Sequence, residues 1–135
     1  MTHGGLARAV LALTGLGFMG FGLAYALWPL PMARLTQIPL LSPTARIDFA
    51  ATYGGLQLGL GFFLLMCARR PTWMEPGLWA ASASLGGLVL VRLLTLAAVG
   101  CEVTLSIAAG VALEGGAALL AGLALRQWRR NSPPA

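Results

Sequence analysis

The sequence predicts an all-α fold: an integral membrane four-helix bundle with both termini cytoplasmic. Three observations carry that reading. The 135-residue chain is 58% hydrophobic and 10% charged, with a mean hydropathy of +0.80. Four apolar runs (6–28, 44–67, 77–99 and 103–125) are each long enough to cross a bilayer core, which takes about 20 residues. Arginines crowd the ends of those runs unevenly. A soluble domain carries about 25% charged residues, and this chain has too little polar surface to cover an apolar core in water. The length suits one domain, 1–130, followed by a disordered tail at 131–135.

In the first span, Gly15, Gly17, Gly20 and Gly22 suggest close helix contact, with Ala24 and Ala26 as further small residues. Trp28 fits an interfacial anchor. A rival reading treats this segment as a secretory signal peptide, with Ala24-Tyr25-Ala26 as the cleavage site. The run is long for that, and Leu27-Trp28-Pro29 follows the site at once. The 29–43 loop holds four prolines and cannot be a regular helix throughout. It is expected to lie on the membrane surface as a cap. Ser42-Pro43 reads as an N-cap with proline at the first helical position, which starts span two. The glycine pairs Gly54-Gly55, Gly86-Gly87 and Gly115-Gly116 are helix-contact surfaces first, and Gly55 and Gly59 have the small-residue spacing of four.

Orientation follows from counting arginines. Arg8, Arg69, Arg70, Arg126, Arg129 and Arg130 fall on one side of a zigzag chain, while Arg34 and Arg46 fall on the other. The first group marks the cytoplasmic face of a bacterial inner membrane. Trp73, Trp79 and Trp128 then stand at the inner interface and Trp28 at the outer one.

The net charge is +5, and every basic residue is an arginine. The arginines flank apolar runs instead of forming a polar basic face, so anionic lipid headgroups are the expected partner and nucleic acid is not. Cys67 and Cys101 are expected at opposite membrane faces, too far apart for a disulfide. His3 is the single histidine. No Cys/His cluster suggests a metal, and no fingerprint suggests a cofactor.

The polar residues inside the spans carry the functional signal. A charge at the bilayer centre costs about 3 kcal/mol on insertion scales, so such residues face protein and find partners. Glu114 falls near the midplane of span four, and Gln57 at a similar depth in span two. Arg92 lies nearer the outer face of span three and can reach inward. Arg46, Tyr53 and Gln57 are spaced by seven and four residues, which in a regular α-helix puts them on one face; Asp48 points elsewhere. Tyr25 reads as an interfacial belt residue, and Glu102 as an acid favoured by a helix N-terminus. An Arg92–Glu114 pair could serve only to hold spans three and four in register.

At these residues the chain resembles a bacterial membrane family, domain of unknown function 4345. The resemblance rests on "RIDFAATYGGLQLGLGFFLL" from Arg46, on Arg92-Leu93-Leu94 with Gly100, and on Glu114 in "ALEGGAALLAGLAL". It extends over nearly the whole chain, with its motif residues between Arg46 and Glu114. It implies a four-helix membrane bundle and no established activity.

Three functions compete. The first is a binding module for a lipophilic or amphipathic small molecule, with Arg46, Tyr53 and Gln57 as ligand contacts beside the Arg92–Glu114 pair. The second is a membrane enzyme in which Glu114 and Arg92 are catalytic in proton-transfer chemistry (isomerase, cyclase or epoxide-opening type) on an isoprenoid or lipid-like substrate. The third is a structural or accessory subunit of a membrane complex, for which small-residue faces would also support a homo-oligomer.

Overall fold

The computed structural model describes residues 4–100 and 102–131. His3, Cys101 and residues 132–135 lie outside them, so the expectations for the histidine, for a Cys67–Cys101 pair and for most of the tail are not addressed by the fold. Among the described residues every regular element is helical, and the longest connection is the seven-residue stretch 36–42. In order they form α1 (Gly5–Leu27), α2 (Pro29–Leu35), α3 (Pro43–Phe49), a π-helical stretch (Ala50–Gly55), α4 (Leu56–Arg69), a 3-10 turn (Pro71–Trp73), α5 (Met74–Val99) and α6 (Leu105–Asn131). Four helical segments are long and apolar enough to cross a membrane: Gly5–Leu27, Pro43–Arg69, Pro71–Val99 and Leu105–Asn131.

The boundaries follow local chemistry. Ser42 Oγ accepts from the Ala45 N–H at 3.1 Å, capping α3 with Pro43 at its first position. Pro29 and Pro31 sit in the first turn of α2, where a missing N–H costs nothing. The same tolerance lets the third span begin at Pro71, ahead of the expected Gly77, because Pro76 falls in the first turn of α5. That helix ends on Gly100, whose φ of 64° and ψ of 30° form a left-handed cap. The fourth span runs to Asn131, past the expected end at 125.

Antiparallel packing of α1 on the second span is backbone against backbone. A Cβ on Gly61 would lie 2.8 Å from Gly15 O and from Met19 N, one on Gly22 would lie 2.8 Å from Leu58 N, and one on Gly54 would lie 2.9 Å from Ala26 N. Gly15 and Gly22 are seven apart, as are Gly54 and Gly61, so two small residues per helix meet in register. Gly17, Gly20, Gly55 and Gly59 have nothing within 4 Å, so the spacing-of-four pair is not the contact. Gly77 makes the corresponding close approach to Cys67, joining α5 to α4.

The core lies at one end. It comprises Ala7, Val10 and Leu11 of α1, Leu64, Cys67 and Ala68 of α4, Met74, Leu78 and Ala81 of α5, and Ala121, Ala124 and Leu125 of α6. That end carries the first residues of α1 and the last turns of α6, since Gly4 sits against Trp128. Arg8 Nε there donates to Ala68 O at 3.2 Å, satisfying a carbonyl in the last turn of α4. Toward the other, distal end burial fades along two helices: α5 has no fully buried residue after Leu85, and α6 has none before Ala121, while Gly22, Ala33, Phe49 and Gly54 stay buried where α1 and α2 meet the second span.

Candidate functional site in the distal half

Arg92 and Glu114 stand in the distal stretches of α5 and α6, where those two helices bury little. Arg92 is eight residues before Gly100, and Glu114 is nine after Leu105. Those offsets are roughly 12 and 14 Å along their axes, so antiparallel helices bring the two to one level. Arg92 Nη2 donates to both carboxylate oxygens, at 2.8 Å to Oε1 and 3.0 Å to Oε2. The side chains are 36% and 23% exposed. The inward reach expected of Arg92 ends in direct contact with Glu114.

The guanidinium lies on α6 at a glycine. A Cβ on Gly110 would fall 3.3 Å from Arg92 Cζ, 3.5 Å from Nη1 and 3.6 Å from Nε. Gly110 precedes Glu114 by four residues and so shares its helix face. Arg92 Nε is buried without an acceptor among the described residues. A buried unsatisfied donor typically costs about 1–3 kcal/mol.

Three rings gather nearby. Phe49 and Tyr53 have centroids 4.8 Å apart. Tyr25 of α1 stacks edge-on against Phe49 at 5.5 Å and tilted against Tyr53 at 5.6 Å. Tyr25 near the end of α1, and Phe49 and Tyr53 near the start of the second span, stand in the same distal half as the ion pair. Neither Tyr25 nor Phe49 was assigned there from the sequence. The available signal was Tyr25 near the distal end of one span and Tyr53 near that of the next.

The shared face expected for Arg46, Tyr53 and Gln57 does not follow from the observed backbone. The π-helical stretch lies between Arg46 and Gln57, and Leu56 N–H reaches back five residues to Ala51 O. Each extra residue in a turn rotates what precedes it by about 100°. Seven-and-four spacing therefore no longer aligns the three side chains. Arg46 and Asp48 are exposed on α3, and Gln57 is half-buried on α4. Among the described residues no hydrogen bond or ion pair joins Arg46, Tyr53 or Gln57 to the Arg92–Glu114 pair.

A family model described as Domain of unknown function (DUF4345) matches residues 6–125. No curated protein and no solved structure matches the chain.

Proposed function

The chain belongs to the DUF4345 family, and we propose that it is a multi-pass protein of a bacterial inner membrane, a four-helix bundle with cytoplasmic termini that binds a lipophilic or amphipathic small molecule. The observation that carries this is the division of the molecule. Its main apolar core fills the half that holds the termini, while its intramembrane ion pair lies in the other half, on stretches of α5 and α6 that bury little. A charge pair needed only for register would be cheapest where packing already excludes lipid. Set where α5 and α6 bury little, in the same half as two phenols, it is suited to meet a polar head whose tail lies along the apolar outer surfaces of α5 and α6. Ionisable groups within a membrane are functional candidates by default.

The test is purification in gentle detergent followed by native mass spectrometry, for the wild type and for Arg92→Leu/Glu114→Leu. A stoichiometric lipophile that leaves with the pair, from a variant that remains folded, is the expected result. A wild type carrying no lipophile, or one retained equally by the double variant, would oppose the reading. The orientation is checked separately by reporters fused to the C-terminus: activity of a cytoplasm-specific reporter is expected, and activity only of a periplasmic one would reverse the topology.

A further inference from the structure

The placement of charge restricts the head group, an inference that rests on the binding reading above. Arg8, Arg69, Arg70, Arg126, Arg129 and Arg130 all belong to the end that holds the core, accompanied by one acid, Glu75, which meets Arg129 at 3.3 Å. The distal half contains three arginines, Arg34, Arg46 and Arg92, against three carboxylates, Asp48, Glu102 and Glu114. The whole surplus of +5 thus lies away from the site. The site's own two charges are already joined.

A charged head would enter this half without a countercharge. An anion on the free nitrogens of Arg92 would leave the site with a net negative charge in apolar surroundings, and one that displaced Glu114 would leave that carboxylate unpaired; a cation on Glu114 meets the mirror-image cost at Arg92. Either way one charge is left uncompensated, which is more costly than a neutral head beside the intact pair. Hydrogen-bond donors, by contrast, remain available. A guanidinium has five N–H groups, and among the described residues Nη1 has no acceptor while Nη2 serves Glu114. The Tyr25 and Tyr53 hydroxyls likewise make no hydrogen bond to described residues.

We infer that the site takes an uncharged, carbonyl-bearing head, whose oxygen accepts from Arg92 Nη1 and a tyrosine hydroxyl while the Arg92–Glu114 pair stays closed. The pair then acts as a neutral donor, and the three rings offer the flat apolar wall beside it.

The full chain in phosphatidylcholine nanodiscs tests this with three saturated probes of matched chain length: methyl pentadecyl ketone, hexadecane sulfonate and hexadecylamine. Binding is corrected for uptake by empty nanodiscs. The ketone is expected to bind about tenfold more tightly than either charged probe. Losing one hydrogen bond in Tyr25→Phe or Tyr53→Phe, which keep the ring, should weaken the ketone about fivefold for whichever hydroxyl contacts it. A sulfonate or amine that binds as well as the ketone would overturn the neutral-head inference while leaving a binding site in place. A preferred ketone indifferent to both tyrosine variants would overturn it too, since its oxygen would be held elsewhere. No probe binding above empty nanodiscs would defeat the binding reading and this inference together.

Discussion

Arg92 holds both oxygens of Glu114 with a single nitrogen. A fork-to-fork pairing would have used two nitrogens and fixed the guanidinium plane against the carboxylate. The observed geometry leaves Nη1 and Nε uncommitted, with the flat group resting over Gly110. The pair therefore ties α5 to α6 while Nη1 and Nε find no acceptor among the described residues.

Removing one partner strands the other. Arg92→Leu and Glu114→Leu should each destabilise the protein by about 3 kcal/mol, the lower end of the range for a broken buried pair, because the side chains are partly exposed. The double variant should recover most of that loss. Reversible unfolding in a mild detergent, read as a double-mutant cycle, measures it. Additive losses would mean that the two groups act independently.

The spans and the ion pair were legible in the sequence for one reason: apolar solvent makes polarity informative. Opposite charges within a side chain's reach of each other on successive antiparallel helices have few other partners. The choice among glycines was not legible, because Gly15 and Gly17 differ only in the way their helix is rotated against the neighbour. Nor was the π-helical stretch, whose extra residue undid the phase argument for Arg46. Periodicity presumes an unbroken helix, and the low helix propensity of Gly54-Gly55, where Gly54 is pressed against Ala26, permits a break that no local pattern announces. The contrast between a packed end and an open one is a tertiary property that mean hydropathy cannot encode.

Gly110 gives a second handle on the pair. An alanine Cβ there would approach Arg92 Cζ at 3.3 Å, and the long arginine can shift by the few tenths required. Gly110→Ala should thus lie within about 1 kcal/mol of the wild type, helped by the better helix propensity of alanine. Gly110→Leu cannot be accommodated that way and should separate the pair. In the Arg92→Leu background the leucine should cost much less, and the same unfolding assay reads the difference. An equal cost in both backgrounds would mean that Gly110 does not act through the guanidinium.

The glycines of α1 and α4 should divide cleanly. A Cβ on Gly61 meets the backbone of α1 at 2.8 Å, and backbone cannot rotate aside. Gly61→Ala should force the helices apart and cost about 1–3 kcal/mol. Gly17→Ala meets nothing within 4 Å and should be neutral or stabilising by up to about 1 kcal/mol. Thermal unfolding of the two variants in one detergent provides the comparison. A destabilised Gly17→Ala would point to a second copy of the chain covering that face.

The π-helical stretch sets where the rings meet, and it can be removed. Deleting Ala51 takes out the one extra residue that lets Leu56 reach back five positions. The segment should then close into an ordinary α-helix, with everything before it turned by about 100° relative to α4. Gly54 and Gly61 follow the deletion, so their contacts with Ala26 and Gly15 should survive and the protein should still fold. Phe49 precedes it and should swing away from Tyr25 and Tyr53, whose ring centroids now lie 5.5 and 4.8 Å from its own. The expected signature is an unchanged far-UV dichroism spectrum with a weakened near-UV aromatic signal, and weaker retention of any lipophile. An unaltered near-UV signal would mean that ring position is set by α1 packing alone, with no part played by the extra residue.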